Sequence, residues 1–257
     1  MTRAMDDARS LRVLTWNVEG LETTRLDSRA ERICHELLLG MDVKRALAGR
    51  PSPPMPEVIC LQEVVPRVHV AKLRPHLGAA RFAIFPEAPP REEEDYVAIA
   101  VRPPWQIEDA AYRPFEDSPL GRGWVEATLV REGGARAVVL TAHLESLRSG
   151  AESRVAQVRQ IDARLHEDPD VPALFAGDTN LRKAEWDEAG AAMADAWVAA
   201  GSPKAHRDTW WPPESSRGFR FDRIWLDRQR AWEITALRTR RREKLSDHAA
   251  LEALVSF

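Results

Sequence analysis

The stretch Val171-Pro172-Ala173-Leu174-Phe175-Ala176-Gly177-Asp178-Thr179-Asn180-Leu181-Arg182 changes character abruptly. An apolar run stops at Gly177, and a carboxylate, a hydroxyl, an amide and a guanidinium follow. A short apolar run bounded by turn residues reads as a buried strand, and an acid–amide cluster at its end is placed to handle a phosphate at a sheet edge. Gly-Asp after a strand is, alone, only a turn signal. Four other strand-like runs strengthen the functional reading. Asn17 closes the run from Arg12 to Val18, and Glu63 follows Glu57 to Leu61. His143 follows Val138 to Ala142, and Asp247-His248 stands just before Ala249 to Val255.

Working outward, Asp27 to Leu47 carries apolar residues at helical spacing (Ile33, Leu37, Leu38, Met41, Leu47), and the prolines from Pro51 to Pro56 form a stiff connector. A short helix follows Pro66. Phe82–Phe85 and Tyr96–Val101 read as strands around an acidic loop. Trp124–Val130 and Arg136–Ala142 bracket Gly133-Gly134 as a hairpin. A helix over Ala151–Leu165 precedes the Val171 strand, and Phe219–Leu226, Trp232–Leu237 and Ala249–Val255 supply the last strands. Strands outnumber helices without strict βαβ alternation. That predicts an α/β sandwich of two mixed β-sheets packed face to face with helices outside, four layers in all.

The chain has 257 residues with 44% hydrophobic content and no composition shift that would divide it. One domain over residues 11–257 is expected, after a disordered tail over residues 1–10. That charged start lacks the apolar core of a secretory signal, and no apolar run approaches a membrane span. Cys34 and Cys60 are the only cysteines; their settings predict buried thiols rather than a disulfide or zinc pair. A cytosolic (cytoplasmic), reduced monomer fits. With a net charge of −3 the chain is no general polyanion binder. The cluster Arg238-Thr239-Arg240-Arg241-Arg242-Glu243-Lys244 is either a solvated loop or a contact to a phosphate backbone.

Taken singly, the polar residues are ambiguous. Asn17 near Gly20 is a common strand exit. Glu63 is a solvated rim carboxylate or binds a cation. A lone His143 beyond a strand is more often structural. Asp222 is harder to dismiss, because period-two alternation puts it on the apolar face of Ile224 and Leu226. A carboxylate there needs a partner, and His248 suits. Together the set fits phosphodiester hydrolysis. Mg²⁺ takes oxygen ligands and is held by one or two carboxylates plus substrate phosphate; Glu63 fits, with Asp247 or Glu19 near. Asp178 fits the base that activates water, and Asn17, Asn180, His143 and His248 fit the donors. No Cys or Ser stands in a nucleophile setting, which favours direct attack by water. His35, His69, His76, His166 and His206 have no comparable setting and read as surface or core residues.

These segments, in order, resemble the endonuclease/exonuclease/phosphatase superfamily with its deoxyribonuclease I-like fold. The motifs are Trp16-Asn17-Val18-Glu19-Gly20, Leu61-Gln62-Glu63-Val64, His143-Leu144-Glu145-Ser146, Gly177-Asp178-Thr179-Asn180, Phe221-Asp222-Arg223-Ile224 and Ser246-Asp247-His248. Within it, Thr15–Leu21, Gly177–Arg182 and Thr209-Trp210 are similar to the tyrosyl-DNA phosphodiesterases. The resemblance implies Mg²⁺ or Mn²⁺ on Glu63, water activation by Asp178, and phosphate contacts from Asn17, Asn180, His143 and His248. It implies that Asp222 orients His248. Arg182 would reach the substrate with Trp210 stacked on its guanidinium, and Ser146 lies in a matching motif on the substrate side. Glu19 stands where the family has Asp, Lys183 where it has an acid, and Ala249-Ala250 where it has Trp-Gly. The expected activity is hydrolysis at 5′ DNA ends, with a 5′-phosphotyrosyl bond as the leading substrate. Rivals are an abasic-site or other DNA nuclease, a small-molecule or phospholipid phosphodiesterase, and a catalytically silent binding module.

Overall fold

Two parallel strand pairs, each joined through a helix, organise the molecule. The computed structural model describes residues 9–39, 54–90 and 94–257. In the first half, β1 (Ser10–Asn17) leads through α1 (Leu26–Leu39) to β2 (Val58–Val64), which lies parallel to β1. In the second, β7 (Arg136–Ala142) leads through α5 (Ala151–Leu165) to the parallel β8 (Ala173–Asp178). Between these halves come three short helical segments, α2 (Pro66–Val68), α3 (His69–Leu73, with π geometry) and α4 (Arg74–Ala79). Then follow β3 (Ala83–Phe85), β4 (Tyr96–Val101), β5 (Trp105–Pro114) and β6 (Gly123–Arg131). The chain ends with α6 (Lys183–Ala189), β9 (Ala194–Asp195), α7 (Ala196–Ala199), β10 (Asp222–Leu226), β11 (Glu233–Arg240) and β12 (Ala250–Ser256). The sheets run β11-β12-β1-β2-β4-β3 and β5-β6-β7-β8-β10-β9. Both are mixed, as the lack of strict alternation predicts.

Alternation along the central strands builds the layers. Leu11 and Val13 of β1, Val58 and Cys60 of β2, Leu174 and Ala176 of β8, and Ile224 and Leu226 of β10 share the core between the sheets. The alternate residues Leu14, Trp16, Ile59 and Leu61 pack with Ile33 and Leu37 of α1 and Leu77 of α4. Leu140, Phe175 and Trp225 pack with Val155, Val158 and Ile161 of α5. Strands buried on both faces read as continuous apolar runs, and each fully buried large side chain contributes about 1.5–3 kcal/mol.

Stepping by two from the inner positions reaches Asn17, Gln62, His143, Asp178 and Asp222, all buried. The polar ends of the inner rows therefore converge at one end of the inter-sheet layer. Gln62 links the sheets there, donating from Nε2 to Thr15 Oγ1 at 3.1 Å and to Thr141 Oγ1 at 2.9 Å.

Some elements depart from expectation. β5 is a long strand at the sheet edge, and its mostly solvent-facing sequence hides the alternation that would reveal it. Gly177 is not a turn residue: it lies within β8, where a Cβ would meet the Ala142 carbonyl oxygen at 2.4 Å, so only glycine allows the β7–β8 approach. The strand expected over Phe219–Leu226 begins its ladder at Asp222. Arg238 and Arg240 are strand residues rather than a solvated loop. Arg238 (2.9 Å), Arg240 (3.3 Å) and Arg12 (3.1 Å) all pair with the buried Glu252, and Arg242 Nε donates to Glu36 at 2.8 Å. Arg238 and Arg240 are thus paired with a carboxylate on the adjacent strand β12, and Arg242 with one far away in sequence.

The expected hairpin at Gly133-Gly134 is present, both glycines at positive φ. Cys34 and Cys60 are buried free thiols, pushed up to about 12 by burial. Residues 1–8 of the expected tail, 40–47 of the expected first helix and 51–53 of the connector lie outside the described residues, and Ser10 already begins β1. Among the described residues no helix is long and apolar enough to cross a membrane.

Candidate active site

Asp178 is the hub of the convergence. Its Oδ1 accepts from the Asn180 backbone N–H at 3.0 Å, and its Oδ2 accepts from Asn17 Nδ2 at 3.0 Å. His143 Nε2 and His248 Nε2 lie 3.4 Å and 3.6 Å from the same Oδ2. The Asn17 amide also donates to Glu63 Oε1 at 2.9 Å. One side-chain amide thus bridges a carboxylate from each sheet. Its own oxygen accepts from the Glu19 N–H at 2.9 Å, which fixes the amide orientation.

Local backbone geometry aims these groups. Glu19, Glu63 and Asn180 all have positive φ, at 51°, 54° and 49°. For non-glycine residues that costs on the order of 1 kcal/mol each, and such residues gather at functional sites. Glu63 sits where the β2–β4 register shifts between Leu61 and Val64, and a bulge of this kind turns a side chain out of its row. Gly20 is required beside it, because a Cβ would stand 2.1 Å from the Glu63 carbonyl oxygen.

His248 is fixed from both sides. Its Nδ1 lies 2.8 Å from Asp222 Oδ2, and the Asp222 N–H donates to Thr209 Oγ1 at 2.9 Å. Ser246 Oγ donates to the Asn17 carbonyl at 2.7 Å and accepts the His248 N–H at 3.0 Å, locking the final loop onto β1. Burial pulls the His248 pKa down, but Asp222 and then Asp178 more than offset this and lift it to about 10. It is an imidazolium at neutral pH. Burial raises Asp178, yet His248, His143 and the hydrogen bonds from Asn17 and Asn180 outweigh it and hold the carboxylate below its ordinary value. Burial drives His143 down to about 3, so this ring is neutral. Burial raises Glu63, the Asn17 hydrogen bond opposes it, and the neighbouring Asp178 adds to the rise.

Two arrangements could hold a cation. Ligand atoms of Asp178, Asp222 and His248 lie within 4.8 Å of one another, but the imidazolium already supplies the positive charge between those carboxylates. Glu63 differs. It is partly exposed, burial and then Asp178 push it toward protonation, and among the described residues no Lys or Arg pairs with it. An oxygen donor bridged to a second carboxylate and short of positive charge suits a hard divalent ion. Asp247 and Glu19 are more engaged. Asp247 Oδ2 accepts from Trp210 Nε1 at 2.7 Å. Glu19 Oε2 accepts from Arg29 Nη1 at 3.0 Å and from the Asp247 N–H at 3.2 Å.

Around this centre the substrate-side residues take less expected partners. The Arg182 guanidinium lies over Phe221 at 5.8 Å, not over Trp210. Trp210 instead stacks on Phe221, with centroids 5.1 Å apart, and also contacts Phe219 and His248. The indole N–H is held by Asp247, and Phe221 lies between the two side chains. Arg182 lines an open cavity of about 680 Å³ with Trp186, Trp197, Phe219 and Phe221. A second cavity of about 420 Å³ reaches His143, lined by Tyr96, Tyr112, Leu120 and Arg122. Ser146 Oγ accepts from Arg122 Nη2 at 3.3 Å.

Positioning residues outside the expected set complete the site. Arg154, fully buried, forks onto Glu185 at 3.0 Å and 2.6 Å and donates to the carbonyls of Glu145, Ser146 and Leu147. Glu185 in turn accepts the Arg182 N–H at 2.9 Å, so one buried pair sets both the His143 loop and the Arg182 turn. Removing one partner of such a pair costs on the order of 3–5 kcal/mol. Arg29 and Thr209 play the same part for Glu19 and Asp222. Thr209 carried a signal in its match beside Trp210; Arg29 and Arg154 carried none among so many arginines.

Known proteins share this fold. The model of the Endonuclease/Exonuclease/phosphatase family matches residues 14–248. Tyrosyl-DNA phosphodiesterase 2 of Mus musculus is 30% identical over 211 residues, covering 80% of this chain and 51% of that protein. The chain spans about half the length of the curated relatives it matches. A crystal structure of truncated Caenorhabditis elegans tyrosyl-DNA phosphodiesterase 2 superposes with a TM-score of 0.73 at 26% identity, covering 98% of this chain and 100% of that one. The Danio rerio enzyme complexed with a single-strand DNA product has the same fold, with a TM-score of 0.77 at 23% identity and coverage of 96% and 99%. The chain belongs to the Endonuclease/Exonuclease/phosphatase family.

Proposed function

We propose that residues 11–257 act as one catalytic unit, a monomeric, metal-dependent phosphodiesterase that hydrolyses the 5′-phosphotyrosyl bond at DNA ends with an activated water. The observation that carries this reading is the Asn17 amide bridging Glu63 and Asp178, at 2.9 Å and 3.0 Å, with His143 and His248 facing the same carboxylate. The likeness to tyrosyl-DNA phosphodiesterases, one solved with a DNA product, supports the substrate class.

Glu63 would be the principal protein ligand for Mg²⁺ (or Mn²⁺), with Asp247 and Glu19 near it; such an ion would neutralise charge on the phosphate. Asp178 accepts the proton of the attacking water. Its Oδ1 and Oδ2 are both pinned by hydrogen bonds, which sets the direction of the basic lone pairs. His248, charged and oriented by Asp222, stabilises the negative charge that grows on the phosphoryl oxygens. Neutral His143 and the Asn180 side chain add donors, and Asn17 keeps the two carboxylates in register. Arg182, Trp210 and Ser146 contact the substrate beyond the phosphate, Arg182 with its side chain 40% exposed at the cavity mouth.

One observation favours a second reading. Arg238, Arg240 and Arg242 are paired with Glu252 and Glu36, which leaves less positive surface for a DNA backbone and makes a small phosphodiester the rival substrate. Wild type and Arg182→Ala should be assayed with Mg²⁺ on a 5′-tyrosyl oligonucleotide, an abasic duplex and a choline-type phosphodiester. We expect the tyrosyl oligonucleotide to have the highest kcat/KM. Arg182→Ala should lower that value by about 10- to 100-fold, the scale of a charged hydrogen bond, and spare the choline-type ester. Faster turnover of the choline-type ester, or equal losses on all three, would overturn the DNA assignment.

A further inference from the structure

A second set of side chains able to ligate a metal lies on the helical layer over the first sheet, and it shares no residue with the site above. Glu31 and His35 are one turn apart on α1 and so share a face, while His76 projects from α4. One ligand atom from each lies within 4.8 Å of the others. His76 Nε2 and His35 Nε2 both address Glu31 Oε1, at 2.9 Å and 3.7 Å. The other oxygen, Oε2, is held by Lys72 Nζ at 2.7 Å, and the two rings meet edge to face with centroids 5.9 Å apart.

The hydrogen bonding of His76 makes this more than a surface cluster. Its Nδ1 is 2.9 Å from the Lys72 backbone carbonyl, an acceptor only, so Nδ1 carries a proton. In the neutral ring that leaves the Nε2 lone pair facing a carboxylate oxygen at 2.9 Å. Two acceptors approach so closely only when a proton or a metal ion lies between them. An Nδ1–H donated to a backbone carbonyl is also the usual way a metal-ligating imidazole is oriented.

We propose that Glu31, His35 and His76 bind a borderline divalent cation of the Zn²⁺ class, clamping α1 to α4. Two imidazoles and one carboxylate suit such an ion rather than Mg²⁺. Lys72 fixes the carboxylate with its side chain and His76 with its carbonyl. Three protein ligands leave one tetrahedral position, and partial exposure of all three side chains (36%, 44% and 26% for Glu31, His35 and His76) lets water take it.

The test uses metal-stripped full chain in saturating Mg²⁺, titrated with Zn²⁺ by calorimetry and followed by thermal melting. One Zn²⁺ per chain should bind and raise Tm, because an ion that binds only the folded state stabilises it. His76→Asn and His35→Asn should each weaken that event by at least about tenfold, and His248→Asn should leave it unchanged. The half-exposed His35 position guards against a folding artefact. Identical Zn²⁺ binding and Tm rise in wild type and both variants would overturn the proposal. Loss of the event in His248→Asn alone would do the same, leaving the His76–Glu31 contact as a protonated ion pair.

Discussion

Asp178→Asn is expected to lower phosphodiester turnover by at least ~10²-fold, the usual scale for losing a general base, in a chain that stays folded. The replacing amide keeps an acceptor for the Asn180 N–H but has no basic oxygen to take a proton from water. It also weakens the hold on His248, because one of the two carboxylates that lift the imidazolium disappears. The structural penalty is limited. An amide of the same shape fits the same space, and the poor donor pairing with Asn17 costs on the order of 1–3 kcal/mol. Steady-state kinetics beside a thermal melt separates the two effects. Wild-type rates in a folded variant would remove Asp178 from the chemistry.

Removing the cation should have an effect as large. Exhaustive chelation is expected to abolish turnover, and added Mg²⁺ to restore it. Glu63→Ala should raise the Mg²⁺ concentration for half-maximal rate by at least about tenfold, since even outer partners of a metal ligand are worth that much. The reasoning rests on charge. Glu63 and Asp178 share the Asn17 amide, and burial and mutual repulsion push Glu63 toward protonation. A divalent ion relieves that strain, and truncating Glu63 leaves the ion with the rim carboxylates, already engaged by Trp210 and Arg29. An unchanged Mg²⁺ requirement in Glu63→Ala would move the ion elsewhere.

Much of this convergence is legible in the sequence because the polar residues proposed for the chemistry end the inner rows of buried strands. Asp178, Asn17, His143 and Asp222 each lie an even number of residues from an inter-sheet apolar residue, so alternation alone assigns their face. His248 followed from Asp222, a carboxylate on an apolar face that demanded a partner. Other features depend on partners that local sequence pattern does not reveal. Nothing near Arg238 or Arg240 announces that Glu252 neutralises both, and nothing near Trp210 shows that Phe221 intervenes before Arg182. β5 has no alternation to show, because this edge strand has only Trp105 fully buried along its length. His35 and His76 looked unremarkable for a related reason. The turn that pairs His35 with Glu31 is local, but the packing of α4 on α1 that delivers His76 is not.

The stereochemical course at phosphorus tests the account most directly. A 5′-tyrosyl oligonucleotide with a phosphorothioate of defined configuration would be hydrolysed with Mg²⁺ in ¹⁸O-labelled water. Asp178 activating a water for in-line attack predicts inverted configuration with one labelled oxygen on phosphorus. Retention, the mark of a covalent phosphoenzyme, would contradict it.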